Sequence, residues 1–360
     1  MVGLGMLRQI DSRLKQAKPN GEVAFGGYHL ALIGDFAQLP PVMDTALYAP
    51  PGVQSSQLTR DGHVLYRHFS ESYMLKTIVR QQGDSDEQRK FKLLLKHASE
   101  KGLTKDDWEV LVTRESTNLT PAERAAFRGT LSLYTTREAV ETINLESLDA
   151  LGRPVARVKA QGSPGSAGLT AEDANGLDSE VLLACGARVM VTRNLWQQKG
   201  LVNGALGTVE DVVWLEGAQR SDLPLAVLVS IPEYTGPTLW RTAPRDGYPT
   251  GIPIVPITAV RVDFRHASQS CWRTQLPLSL SWAVTVHKSQ GLTLGRIRVG
   301  LGRREFANGL TFVALSRVRN LQSICLADPV DFSRVEKLGG RSYELRLLDH
   351  VRRYPVAAFT

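Results

Sequence analysis

Four short segments place polar side chains at the ends of apolar runs, the position where open α/β sheets hold their ligands. The first is Gly34-Asp35-Phe36-Ala37-Gln38-Leu39-Pro40-Pro41-Val42, where an apolar run stops, a carboxylate and an amide emerge, and two prolines fix the exit. Gln38 has the chemistry to orient a water or sense a phosphate, although a Gly-Asp turn with a proline brake accounts for the same letters. The second is Arg80-Gln81, following a strand-like run from Tyr73 to Ile78. The third is Thr285-Val286-His287-Lys288-Ser289-Gln290-Gly291-Leu292-Thr293, whose hydroxyls, ammonium and glycine-ended loop suit phosphate oxygens. His287 invites a general-base role, but no partner stands beside it in sequence and an ordinary hydrogen-bonding histidine explains it equally. The fourth is Phe312-Val313-Ala314-Leu315-Ser316-Arg317, a buried helix with Arg317 projecting at its end. A guanidinium there suits an arginine finger, being always charged and forked to match phosphate. Taken singly, Arg80 and Arg317 read as surface arginines.

The elements that must position these residues follow from periodicity and punctuation. Leu7, Ile10 and Leu14 at helical spacing predict an amphipathic helix lying on a sheet, and Tyr28 to Ile33, ending at Gly34-Asp35, reads as a buried strand without neighbours. Ser85 with Gln88 forms a capping-box signature ahead of Phe91, Leu94, Leu95 and Ala98, with Gly102 closing that helix. Thr120-Pro121-Ala122-Glu123 starts another helix. A strand from Thr130 to Tyr134 feeds a helix from Arg137 to Leu148, and Ala187 to Thr192 reads as a further buried strand, so the region alternates β and α. From Ala205 to Gln275 the texture changes to strand-like runs at 205–214, 225–231 and 254–265, with seven prolines from Pro224 to Pro256. This predicts a small β-barrel inserted in the α/β domain. Alternation then returns: a helix near Leu280 to Lys288, a strand from Arg296 to Leu301 and a helix from Thr311 to Arg317.

Length and composition set the frame for these elements. The 360 residues suggest two or three domains, and 42% hydrophobic with 22% charged residues is ordinary globular composition. No stretch approaches the roughly 18 to 20 uncharged apolar residues of a membrane helix, and residues 1–20 lack the order of a signal peptide, so the chain reads as soluble and without an export signal. Cys185, Cys271 and Cys325 are odd in number and far apart, supporting neither a disulfide framework nor a zinc site and fitting a reducing compartment. The formal net charge of +7 suits a polyanionic partner, though such an excess is common in proteins that bind none.

Together the four segments resemble the eukaryotic petite-integration-frequency DNA helicases, the RecD-like 5′ to 3′ branch of superfamily 1. The resemblance covers nearly the whole chain, including Val189-Met190-Val191-Thr192-Arg193-Asn194 with Leu201-Val202-Asn203-Gly204, which leads into that family's SH3-like insertion. It implies an α/β fold: a P-loop NTPase RecA-like domain with an inserted SH3-like β-barrel, preceded by a truncated first RecA-like domain. The implied boundaries are 1–78 for the remnant of the first domain, 79–204 and 276–360 for the second, and 205–275 for the insertion. The implied cofactors are ATP and Mg²⁺, the implied partner is single-stranded or forked DNA, and no membrane is involved. Gln38, Arg80 and Arg317 would reach the γ-phosphate, with Arg317 as the finger. Asp35 would support the metal and water network, and Gly34, Gln290 and Gly291 would join it at the nucleotide. Thr285, His287, Lys288 and Ser289 would meet the DNA backbone. The resemblance places the work in the nucleus, with the mitochondrion as the alternative compartment. Phe312 stands where many members have tyrosine.

One departure is large. A P-loop reads G-x-x-x-x-G-K-[ST], and this chain has no Gly-Lys dipeptide, while Asp86-Glu87 lies in the polar start of a helix rather than at a strand end. Met1-Val2-Gly3 resembles the continuation of the family's Asp-Glu-x-Ser-Met motif. The expectation is therefore the C-terminal part of an ATP-dependent helicase, inactive alone and completed by a missing N-terminal RecA-like half. An apolar strand ending Asp-Glu-x-Ser would stand directly before Met1, with the P-loop roughly 70 to 100 residues earlier. The alternative is a non-catalytic single-strand DNA-binding or interaction protein derived from such a helicase. An SH3-type adaptor is a third reading, which needs an aromatic-lined groove from Trp214, Tyr234 and Trp240, residues that serve a core equally well.

Overall fold

The computed structural model describes residues 1–18, 23–219, 222–267 and 269–355. The chain divides into two compact units, one formed by Met1–Thr135 with Ser289–Thr360 and the other by Thr136–Lys288.

The first unit is built around a parallel sheet. Strand Ile297–Gly300 lies between Leu131–Tyr134 and Ile324–Leu326, with Ile297 opposite both Leu131 and Ile324 and Val299 opposite Leu133 and Leu326. These strands are short and almost wholly apolar because helices cover a parallel sheet on its faces. Helix Asp86–Ser99 buries Phe91, Leu94, Leu95 and Ala98, the face read from its spacing. Its cap is only half the expected box. Ser85 accepts from the Gln88 amide, but the Gln88 side chain reaches away to the Arg319 carbonyl at 2.8 Å. Thr120 and Glu123 make the full reciprocal box at Pro121–Ala126.

Helix Leu4–Ala17 forms as its periodicity predicts, but it packs on another helix, Gln57–Tyr66, and not on a sheet. Leu4, Leu7, Phe25, Leu47, Leu65 and Tyr66 form their shared core. Gly62 permits the close approach, since a Cβ there would stand 1.9 Å from the Leu4 carbonyl oxygen. Tyr28 to Ile33 is not the expected buried strand: it is extended but belongs to no described sheet, and Ile33 is 96% exposed. Nor is Tyr73 to Ile78 a strand; only Glu71–Ser72 pairs, in parallel with Tyr354–Pro355. Apolar composition supplies the tendency to extend, but a strand exists only where a neighbouring ladder takes up its backbone groups.

The second unit is mostly antiparallel. Its main sheet runs in the order Leu278–Leu280, Arg188–Val191, Leu206–Val213, Ala226–Ser230, Pro253–Ile257, Trp240–Arg241. A bulge lies between Val209 and Asp211. A second sheet joins Val260–His266 to Gln269–Gln275 and then to Gln161–Gly162. The single run expected at 254–265 is thus two strands in two sheets, because Thr258 and Ala259 break the ladder. The helix expected near Leu280 to Lys288 is also absent. Leu278–Leu280 and Ala283–Thr285 are strands, and Val286–Ser289 is one 3-10 turn. Asn144, on helix Arg137–Asp149, explains the difference: its side chain bonds both the amide and the carbonyl of Ala283, holding that backbone extended. Among the described residues no helix is long and apolar enough to cross a membrane.

Arg273 is fully buried and fastens the loop after Gln161–Gly162. Its guanidinium donates to the carbonyls of Leu177 at 2.7 Å, Leu169 at 3.0 Å and Ser166. Replacing Arg273 with Met removes three hydrogen bonds to carbonyls, at about 1 kcal/mol each, so Arg273→Met should lower unfolding free energy by about 3 kcal/mol. Urea denaturation of the chain checks this, and a loss below roughly 0.5 kcal/mol, the size of a surface change, would contradict it.

Candidate functional site

In the first unit, loops that carry several of the expected residues meet. Asp35 folds its own loop: Oδ1 accepts from the Ala37 amide at 2.9 Å and Oδ2 from Gln38 Nε2 at 3.2 Å. Gln290 Nε2 donates to Gln38 Oε1 at 3.1 Å, so residues 252 positions apart meet edge to edge. Gly309 brings the start of helix Leu310–Leu315 against the same loop. Its φ is +86°, and a Cβ would lie 2.6 Å from the Ala37 carbonyl oxygen, so only glycine fits.

Arg80 and Arg317 share one neighbourhood around Ser316. Arg80 donates from Nε to Thr293 Oγ1 and from Nη1 to the Ser316 carbonyl, both at 2.9 Å. The adjacent Gln81 is buried and bridges the Ser316 and Val318 carbonyls at 3.2 and 2.8 Å. Arg317 does not project from the helix end as its sequence position suggested; it is 2% exposed. Its Nε donates to the Val313 carbonyl at 2.8 Å, its Nη2 to Ser316 Oγ at 2.7 Å and its Nη1 to the Leu292 carbonyl at 3.4 Å. Folding back satisfies its donors on the last turn of its own helix, whose carbonyls have no intrahelical partner. Burial lowers the Arg317 pKa to about 10, the Arg80 charge pushes the same way, and Asp35 opposes both. Burial also lowers the pKa of Arg80. At neutral pH both remain cationic.

The remaining expected residues divide between the units. Gly34 and Gly291 are exposed, Gly291 at φ +90°, and Ser289 is fully buried, all in the first unit. Ser289 therefore does not offer its hydroxyl to solvent. Thr285, His287 and Lys288 belong to the second unit, where His287 and Lys288 are exposed and Thr285 Oγ1 accepts from the Lys288 amide at 3.4 Å. His287 is held below its ordinary pKa by burial and by Arg137, against the opposing charge of Glu172. Sequence reasoning named Arg80 and Arg317 but not the groups that hold them, Thr293 and the Ser316 carbonyl. Thr293 was legible as a hydroxyl closing its loop; a backbone acceptor carries no sequence signal.

Comparison with known proteins follows from this geometry. Residues 172–212 match the family model described as the 2B domain of the DNA helicase Pif1. The human ATP-dependent DNA helicase PIF1 is 30% identical over 306 residues, covering 84% of this chain and 41% of that protein. The Campylobacter jejuni ATP-dependent DNA helicase Pif1 is 25% identical over 339 residues, covering 89% of this chain and 66% of that protein. Among solved structures, Pif1 helicase from Candida albicans superposes with a TM-score of 0.67 at 21% identity, covering 97% of this chain and 74% of that one. Bacteroides Pif1 bound to ssDNA gives 0.62 at 21% identity, covering 100% and 76%. The fold is the RecA-like α/β fold of these helicases. The chain belongs to the Pif1 helicase family, and it spans about two fifths of the length of its vertebrate relatives.

The depressed His287 pKa sets a pH dependence. As pH falls through 6.5, the unfolded chain takes up the proton first, so His287 costs stability between 6.5 and its lower folded midpoint and nothing above 6.5. An NMR titration of His287 should give a midpoint below 6.5, and Arg137→Ala should raise it. A midpoint at or above 6.5 in the native chain would contradict the arrangement.

Proposed function

We propose that the chain is the C-terminal part of an ATP-dependent 5′ to 3′ DNA helicase, unwinding single-strand-flanked or forked DNA in replication, recombination, repair or telomere maintenance. The carrying observation is the pair of arginines. Arg80 and Arg317 lie close enough for their charges to repel, burial disfavours both charges, and neither makes an ion pair among the described residues. Such a pair suits a group that brings several negative oxygens, as the γ-phosphate of ATP does.

On this reading Gln38 positions the attacking water and Asp35 with Gly34 supports it, while Gln290 and Gly291 link that loop to the DNA-facing turn. Arg80 and Arg317 neutralise charge developing on the transferred phosphoryl, and Arg317 must first release its contacts to Val313 and Leu292. ATP and Mg²⁺ supply the phosphoryl chemistry when bound, with a P-loop that this sequence does not contain. Thr285, His287 and Lys288 meet the DNA phosphates, with Ser289 acting from below. We assign residues 1–78 to the first RecA-like domain, 79–204 with 276–360 to the second, and 205–275 to an SH3-like insertion, which the antiparallel strands of the second unit support. The relatives' DNA helicase activity supports work where the cell keeps DNA, on this reading the nucleus, with the mitochondrion as the alternative. Solved structures of Bacteroides Pif1, one bound to ssDNA and one in complex with ADP-AlF3 and ssDNA, support the partner and nucleotide classes.

The 360-residue chain alone should bind single-stranded DNA with affinity that falls steeply as salt rises, and should not turn over ATP. When a P-loop-bearing N-terminal half is fused ahead of it, DNA-stimulated ATP hydrolysis should appear. Arg317→Ala should then lower kcat roughly 10³-fold with DNA affinity little changed. A folded Arg317→Ala fusion with unaltered kcat would defeat the assigned role. DNA binding by a fusion that never hydrolyses ATP would instead favour a non-catalytic DNA-binding protein.

A further inference from the structure

The second unit carries an ordered hairpin that the proposed machinery leaves unused. Residues 238–253 fold back on themselves: Trp240 and Arg241 pair with Ile254 and Pro253, the Thr242 amide bonds the Ile252 carbonyl at 2.9 Å, and Arg245 and Tyr248 close the tip. Arg245-Asp246-Gly247-Tyr248 is the turn, with Gly247 at φ +78°. Trp240–Arg241 is the edge strand of the main sheet, so its outer side pairs with no described strand.

Unlike Tyr234, which is buried, this hairpin turns its large side chains outward. Trp240 is 55% exposed, Leu239 87% and Tyr248 37%. A Trp and a Tyr held in water on an ordered hairpin are not core, and exposed aromatics of this kind mark contact surfaces. Their neighbours are cationic. Arg241 donates one N–H to the Gly251 carbonyl at 3.1 Å, and the Arg245 guanidinium lies 5.8 Å from the Tyr248 ring centroid without an ion pair among the described residues. Asp246 is the single acid on the hairpin.

The hairpin belongs to the same compact unit as the turn assigned to DNA phosphates. Arg245 at the tip acts electrostatically on Arg188, whose pKa is lowered by burial and by that charge. The Arg188 carbonyl accepts from the Ser281 amide at 2.9 Å, and Ser281 lies two residues ahead of the strand Ala283–Thr285, which leads into the turn that bears His287 and Lys288.

We infer that this hairpin is a second contact for single-stranded DNA, with Trp240 and Tyr248 as stacking faces for bases and Arg241 and Arg245 as partners of the intervening phosphates. The inference rests on the DNA-binding reading above. Stacking needs unpaired bases, so the site discriminates single strands from duplex; a peptide added to the edge strand would use neither the arginines nor the outward rings.

The test is fluorescence anisotropy of the 360-residue chain with a labelled oligo-dT, at several salt concentrations and with duplex competitor. Trp240→Ala and Tyr248→Ala should each weaken binding on the order of tenfold, Trp240→Phe should restore most of it, and Arg245→Ala should lower the slope of log affinity against log salt by about one. Melting temperatures of the variants, read alongside, show that the unit stays folded. Lys288→Ala acts as the internal reference. If it weakens binding while folded Trp240→Ala and Tyr248→Ala leave affinity unchanged, the hairpin assignment fails and the DNA-binding reading stands. Equal competition by duplex also overturns the stacking role. If the native chain binds no single strand at low salt, both fall.

Discussion

Two guanidinium groups crowded around one serine set the terms for the first unit. Arg80 and Arg317 both attach to Ser316, one to its carbonyl and one to its hydroxyl, and Gln81 shares that carbonyl. Like charges placed together and partly desolvated cost free energy, and among the described residues no carboxylate pairs with either; Asp35 acts from nearby to offset the cost at Arg317. Much of the surrounding structure holds this arrangement in place. Helix Leu310–Leu315 is seated by Glu305, whose carboxylate accepts from the Thr311 amide and hydroxyl and pairs with buried Arg334 at 2.8 Å. Gly309 sets that helix start against the Ala37–Gln38 backbone. On the proposed reading an anion relieves this repulsion, and strained or desolvated charges of this kind concentrate at functional sites.

The second unit follows a different rule. Its stability lies in antiparallel ladders around a core that includes Val189, Val209, Val227, Val229 and Ile231, with Arg273 tying a long loop to three carbonyls. That rigidity allows a hairpin to carry Trp240 and Tyr248 in solvent without collapsing onto them. On the proposed reading the two units divide the labour: one gathers phosphate-directed cations, the other gathers contacts for nucleic acid.

How much of this was legible in the sequence depended on how local each signal was. Helix Asp86–Ser99 and the cap at Thr120 were readable because spacing and hydrogen bonds within four residues decide them. The runs at 28–33 and 73–78 were misread because pairing is decided by a distant neighbour, which apolar composition does not reveal. The stretch at 280–288 was misread because Asn144, more than 130 residues away, fixes the Ala283 backbone as extended. Within the site, the residue types Gln38, Arg80, Gln290 and Arg317 stood out by their chemistry. That Arg317 would be folded back and buried did not, since its acceptors are mostly main-chain carbonyls common to every sequence.

The central claim is that Arg80 and Arg317 form one anion site. The most direct measurement is an NMR titration of the arginine Nε–Hε resonances of the 360-residue chain with inorganic triphosphate at neutral pH. The account predicts saturable shifts of the Arg80 and Arg317 signals with a common midpoint, the shift of each being lost when the other is changed to Ala. Shifts spread evenly over exposed arginines, with Arg80 and Arg317 unmoved, would contradict it.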